Sequence, residues 1–417
     1  MKMNKLTVAI LIAMLLGIVT GQGYRLFAPT QAATFASDIT LLTDIFLRLI
    51  KMIIAPLVFT TLVVGIAKMG DTRTVGRIGA KTLGWFMLAS LMSLTLGLVM
   101  VHLMQPGVGL SLSLPDDGAS SGVAATAISL KDFVTHAIPK SVIEAMATNE
   151  ILQIVVFSLF FGLAAAALGD AAKPVVMLMA SAAEIMLKVT GYVMNFAPFA
   201  VFGAIAAMVA KEGLGILATY GTFMAQFYLA LACLWLLLIA MGSLFIRRRI
   251  LTLLAMIREP ILLAFSTASS EAAYPKTLDR LEKFGCDKRI ASFVLPMGYS
   301  FNLDGSMMYC TFAVMFIAQA YGIELSMAQQ ITMLLLLMVT SKGMAGVPRA
   351  SLVVIAATLN QFQIPEAGIL LLLGIDHFLD MGRSATNVLG NAIAASVVAK
   401  TEDSLGETQP EGELAKA

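Results

Sequence analysis

The sequence predicts an all-α polytopic membrane protein: eight transmembrane helices plus two re-entrant helical hairpins in an inverted-repeat topology. Three observations lead there. Hydrophobic residues make up 59% of the 417 residues and charged residues only 13%, with a mean hydropathy of +0.87, which excludes an ordinary soluble domain. The apolar runs are continuous and long enough to cross a bilayer core of about 30 Å, unlike the short alternating segments of a β-barrel. Beyond residue 250 the runs become too short to cross and are split by Ser, Gly, Pro and Asn.

The first apolar run, 6–19, follows Lys2 and Lys5 like a secretory leader. No small-residue cleavage pattern follows it, so it is expected to persist as the first span. A loop with Pro29 leads to a second span, 41–68, carrying Arg48, Lys51 and Pro56. Lys68, Arg73, Arg77 and Lys81 crowd the next loop, which the positive-inside rule places in the cytoplasm, and the N-terminus with it. The third span, 82–104, exits into a long loop with Pro106, Pro115, Asp116 and Asp117 and almost no basic residue before Lys131, as expected outside. Spans at 151–168, 175–210 (interrupted by Pro198) and 216–246 follow, and the last ends on Arg247, Arg248 and Arg249. Six crossings from an inside start put that cluster back in the cytoplasm.

From residue 250 the pattern changes. Residues 250–265, the polar stretch S-T-A-S-S-E at 266–271 and a return arm closing near Gly285 read as a first hairpin. The next span, 290–321, is broken by N-L-D-G-S at 302–306; then 328–339, T-S-K-G-M-A-G-V-P at 340–348 and a second arm at 350–359 repeat the hairpin. Such loops at bilayer depth are tolerated only where protein or a water-filled cavity covers the backbone. An odd number of crossings separates the hairpins, so they enter from opposite sides. Paired broken segments of this kind point to a midplane binding site in a secondary transporter. The acidic, polar tail from Thr401 is expected to be disordered and cytoplasmic.

The last span carries a polar ladder. Asp376, Asp380, Arg383, Asn387 and Asn391 are spaced by four, three, four and four, so at about 100° per residue they share an arc roughly 80° wide. Each Asp or Arg at bilayer depth costs roughly 2.5 to 3.5 kcal/mol on insertion scales, on the order of 8 to 10 for the three. A buried Asp380 and Arg383 ion pair accounts for two rungs but not for Asn387 and Asn391. Arg383 offers a planar fork that matches a carboxylate, and Asp380, one turn away, suits an ammonium group. A ligand with both, plus a second carboxylate for hairpin N–H groups and Ser270, is an acidic amino acid. Asp304, with carbonyls freed near Asn302 and Ser341, offers oxygens to a small cation. Cys233, Cys286 and Cys310 lack metal-ligand spacing, and His102, His136 and His377 are scattered with no nucleophile constellation, so neither an enzyme nor an organic cofactor is expected. A net charge of +2 does not indicate nucleic acid.

The hairpin serines, N-L-D-G-S, G-M-A-G-V-P and D-M-G-R-S-A-T-N-V-L-G-N, together with I-A-P-L-V-F-T-T-L-V-V-G at 54–65 and N-F-A-P-F-A-V-F at 195–202, resemble the signatures of the dicarboxylate/amino acid:cation symporters, the glutamate transporter family. The resemblance covers nearly the whole chain, and an archaeal member is itself a precedent for the inverted repeat. It implies a homotrimer in the cell (inner or plasma) membrane. Spans one, two, four and five (1–80 and 111–215) would form a scaffold, while span three (81–110), span six (216–249) and the core at 250–400 would move as a transport unit. Arg383 would hold the substrate side-chain carboxylate, Asp380 its amino group, and Asn387, Ser306 and Ser270 its carboxylates. Ser269, Val347 and Ser384 complete the implied substrate set. The implied cation set is Ser90, Gly298, Ser300, Asn302, Asp304, Ser341, Lys342, Met344, Asn387 and Asn391.

There are departures from the family pattern. Asn391 stands where sodium-coupled members typically place an Asp. Phe86 and Ala89 replace Tyr and Thr oxygens, although Ser90 remains. Ala268 takes the position of an archaeal Arg, which Met381 does not replace in the animal manner, and Glu271 replaces a hairpin serine. These changes remove sodium oxygens and favour proton coupling, with Glu271 the leading proton carrier and Asp304 or Asp376 the alternatives. The expected function is import of glutamate or aspartate with protons rather than sodium. A C4-dicarboxylate symporter is the close rival, set apart by Asp380; an ion channel and an intramembrane hydrolase are more distant ones.

Overall fold

A backbone immersed in hydrocarbon must satisfy its own N–H and C=O groups, and a helix does so within one segment. The computed structural model describes residues 5–67, 72–108, 138–213, 220–341, 350–373 and 375–408, and apart from one isolated bridge every regular element in them is helical. Seven stretches among the described residues are long and apolar enough to cross a membrane. The ladder segment, with its three charges, is not one of them. This is a multi-pass all-α membrane protein.

Among the described residues, the first half has helices α1 (Lys5–Phe27), α2 (Ala32–Ala67), α3 (Thr72–Met104), α4 (Val142–Thr148), α5 (Ile151–Leu168), α6 (Lys173–Met194) and α7 (Ala197–Glu212). The expected single span at 175–210 is thus two helices, with the break at Asn195 and Phe196, just ahead of Pro198 in the first turn of α7. Both α1 and α2 pack along α7, and α5 and α6 pack along α2. Gly17 and Gly21, four apart on α1, let the backbones meet, since a Cβ at Gly21 would stand 2.5 Å from the Ala206 carbonyl oxygen. Small residues at this spacing are the membrane way of bringing two helices close.

The second half opens with α8 (Gly221–Ile246), α9 (Arg249–Thr267) and α10 (Tyr274–Phe284). Here α9 and α10 are the arms of hairpin 1, whose feet meet where Arg249 Nη2 donates to the Phe284 carbonyl at 2.8 Å. Buried Glu259 locks the arms together, 2.6 Å from Arg280 and 3.3 Å from Lys276. The hairpin loop is shorter than the polar stretch 266–271 suggests. Ser266 and Thr267 donate back to the Leu262 and Leu263 carbonyls and stay helical; the turn falls at Ala268, with φ of 50°, and a 3-10 turn at Glu271–Ala273 starts the return.

Next come α11 (Lys288–Phe301) and α12 (Asp304–Ala320), the two halves of the broken span, then α13 (Met327–Thr340) and α14 (Ala350–Gln361), which pack on each other. The 288–320 stretch is the centre of the molecule, with 94% of its most apolar window buried. A short α15 (Leu370–Leu373) precedes α16 (Asp376–Thr401). The ladder helix therefore begins at its first rung; a carboxylate in a first turn complements the helix dipole.

The tail from Thr401 is expected to be disordered, yet residues 402–408 are held. Glu402 lies 2.8 Å from Arg77 and 2.5 Å from Lys81 on α3. Ser404 O accepts from Asp287 N, Gly406 N donates to Gly285 O, and Arg249 donates to Gly406 O at 2.7 Å. Backbone groups that cannot pair within a helix pair here with the foot of hairpin 1.

Candidate functional site

The break between α11 and α12 creates the site. At 14 and 17 residues, the halves are about 21 and 25 Å long, so their facing ends lie inside the bundle. The end of α11 presents carbonyls and the start of α12 presents N–H groups, partial charges of opposite sign that no helical neighbour satisfies. Leu303, at the N-cap of α12, has no side-chain cap to offer. Asn387 of the ladder supplies it from another helix: its Oδ1 accepts from Gly305 N at 2.9 Å and from Ser306 N at 3.3 Å.

The other rungs meet the broken span in antiparallel register. Asp376 accepts from the Tyr309 hydroxyl at 2.6 Å. Arg383 Nη1 donates to Ser306 Oγ at 3.0 Å, and Asn387 Nδ2 donates to the same oxygen at 3.0 Å. Asn391 Oδ1 accepts from Asn302 Nδ2 at 3.2 Å. Within the ladder, Arg383 Nε lies 2.7 Å from Asp380 Oδ1, both side chains fully buried. The polar face that the spacing defines is thus turned inward, onto the helix ends.

A second cluster surrounds Asp304, which is also fully buried. Its Oδ2 accepts from Asn302 Nδ2 at 2.9 Å and its Oδ1 lies 3.2 Å from Ser93 Oγ on α3. A Cβ at Gly390 would collide with this carboxylate, so glycine is what lets α16 approach it. Asn302 Oδ1, Ser341 Oγ, Ser384 Oγ and Asn391 Nδ2 are buried without a hydrogen-bond partner among the described residues. An apolar bundle that keeps such atoms at a helix break has polar capacity to offer a ligand.

A profile of the Sodium:dicarboxylate symporter family matches residues 6–401. The chain belongs to this family. Among its relatives, a proton/sodium-glutamate symport protein of Bacillus caldotenax is 41% identical, over 98% of this chain and 97% of the relative. A C4-dicarboxylate transport protein of Laribacter hongkongensis is 40% identical over 97% and 91%. A proton/glutamate-aspartate symporter of Bacillus subtilis is 39% identical over 94% of each. All three are named for transport.

In this chain the expected residues Ser306, Asp380, Arg383 and Asn387 form one connected cluster, and Asn302, Asp304 and Asn391 a second. Hairpin 1 lies alongside, with Ala264 and Ala273 packed on Val388, the neighbour of Asn387. Ser269 and Ser270 are buried at its turn, Ser269 Oγ accepting from Ala272 N at 3.4 Å. Ser300 and Ser384 are buried as well, and Gly298 accepts from Asn302 N at 2.8 Å. Ser90 donates to its own helix at Phe86 O. Lys342, Met344 and Val347 lie outside the described residues. Glu271 lines a small cavity with Ile54 and Val58 of α2, Ile151, Tyr274, Pro296 and Tyr299.

Ser93 and Tyr309 escaped the sequence reading. Ser93 stands one helical turn from Ser90, so the α3 face that holds Ser90 was the available signal. Tyr309 is one turn past Ser306 in the same way. Spacing would have nominated both, but nothing in it names their partners on other helices.

Proposed function

We propose that this protein is a secondary active symporter that imports acidic amino acids, glutamate and aspartate, with a coupling cation. The observation that carries the reading is the fully buried pair of Arg383 and Asp380, set against the start of α12. The two charges neutralise each other. A substrate bearing both a carboxylate and an ammonium can enter by exchanging partners, carboxylate to Arg383 and ammonium to Asp380, so that no charge is left buried and alone. A C4-dicarboxylate leaves Asp380 without that exchange. The names of the Bacillus relatives support the amino-acid reading, and the name of the Laribacter relative keeps the dicarboxylate as the second one.

On this reading the chain makes eight crossings and two hairpins in the cell membrane, with both termini cytoplasmic, and works as a homotrimer by elevator-type alternating access. Mutual packing of α1, α2 and α5 to α7 supports a scaffold unit, and packing of α3, α8, α9, α12 and α16 supports a transport unit. Substrate would touch Ser269, Ser270, Ser306, Val347, Asp380, Arg383, Ser384 and Asn387. A cation would use the oxygens around Asp304, Asn302 and Ser341. With Asn391 uncharged beside Asn302 and with Phe86 and Ala89 bringing no side-chain oxygen, protons are favoured over sodium.

The test is counterflow uptake of labelled aspartate, glutamate and succinate in proteoliposomes under separate sodium and proton gradients. Uptake of aspartate or glutamate that Arg383→Ala abolishes is the expected result. Aspartate uptake unchanged in that variant, with trimer assembly intact, removes Arg383 from the site.

A further inference from the structure

A cavity of about 580 Å³ opens between α8, α9 and α16. Its volume is that of an ordinary ligand pocket. From Leu254 to Phe265 its wall on α9 runs about 16 Å. The lining is apolar but for a few groups, most of them already satisfied. The Tyr228 hydroxyl donates to Phe378 O at 2.6 Å, and Trp235 Nε1 donates to Thr386 Oγ1 at 2.8 Å. The exception is Arg258. It has no ion-pair or hydrogen-bond partner among the described residues, because its neighbour Glu259 is turned into the hairpin and held there by Arg280 and Lys276.

Arg258 lies nine residues along α9 from Arg249, about 13 Å from the basic end of the helix. An unpaired guanidinium in that position is costly in hydrocarbon unless an anion meets it. Side chains on a helix lean toward its N-terminus, and long basic ones reach for the interface. That tendency would carry the guanidinium toward the headgroup layer on the side of Arg247, Arg248 and Arg249, while the groove continues the other way, toward Phe265 and Tyr228. We propose that this groove is a binding site for an anionic phospholipid, its phosphate on Arg258 and one acyl chain along α8, α9 and α16. The occupant would lie against Gly382, Ala385 and Thr386, the reverse face of the turn that carries Arg383, and against the outer arm of hairpin 1.

Trp235 reports on the groove. The chain has two tryptophans, so Trp85→Phe leaves Trp235 alone, to be read by quenching with brominated acyl chains in phosphatidylcholine vesicles. Brominated phosphatidylglycerol is expected to quench about fivefold more effectively than brominated phosphatidylcholine, the preference of roughly one basic residue for an anionic lipid. Unlabelled phosphatidylglycerol should relieve that quenching and unlabelled phosphatidylcholine should not, a measurement that needs no change at Arg258. Arg258→Gln should then remove the preference, and Arg258→Lys retain most of it. Equal quenching by both lipids, a preference that survives Arg258→Gln, or a Trp235 that neither lipid reaches because a second protein copy covers it, would each overturn the proposal.

Discussion

Replacing Asp380 by serine removes one partner of a pair whose side chains are both fully buried, with 2.7 Å between Arg383 Nε and Asp380 Oδ1. Removing one member of a buried pair costs about 3 to 5 kcal/mol, because the other charge stays behind unpaired. For bound aspartate that other charge is the ammonium, so at about 1.4 kcal/mol per decade the affinity should fall by roughly two to three and a half orders of magnitude. Succinate has no ammonium to strand. Its carboxylate also gives Arg383 the partner the mutation took away, so its affinity should fall by much less or rise. The assay is competition between labelled aspartate and labelled succinate in proteoliposomes, at matched amounts of protein shown to be folded and assembled. The predicted signature is a shift in selectivity, not in capacity. Equal losses for the two substrates would refute the reasoning and reduce Asp380 to a tether that orients Arg383.

Asn387→Ala strands the N–H groups of Gly305 and Ser306 at roughly 1 to 3 kcal/mol each; a lower unfolding temperature is expected, partly recovered by Asn387→Asp, and a wild-type unfolding curve would mean that Asn387 does not cap α12. Hydrogen bonds from Arg77, with help from Lys81, hold the Glu402 carboxyl below its ordinary range, so its contribution to docking the tail is full above about pH 4.5 and is lost as pH falls through the lowered value. A nitroxide at residue 407 should then gain mobility only in acid, and should show no such transition in Glu402→Gln; an unchanged acid response in that variant would assign it elsewhere. Accumulation driven by a pH gradient should fall in Glu271→Gln. Sodium-driven accumulation with no response to pH would end proton coupling altogether, whereas proton-driven uptake that survives the substitution would move the carrier to Asp304 or Asp376.

The ladder spacing alone put Asp376, Asp380, Arg383, Asn387 and Asn391 on one face, and N-L-D-G-S alone marked a break, which the structure narrows from 302–306 to Asn302 and Leu303. Both are local facts, because the turn of a helix and the loss of apolar length are properties of one segment. The same local reading overran at the hairpin, where Ser266 and Thr267 look like loop but satisfy their hydroxyls on the preceding turn and remain helical. It also set the tail adrift, since its partners on α3 and at hairpin 1 are far away in the chain. What sequence alone determined about this protein is its all-helical membrane class, the broken segments and the polar face. Only the tertiary structure decided what that face meets: Asn387 as the cap of α12, Tyr309 on Asp376, Ser93 on Asp304 across 211 residues, and Arg258 left to a groove. Periodicity fixes which residues share a side of a helix, but the neighbour on that side is chosen by packing between distant segments, which no spacing within one segment encodes.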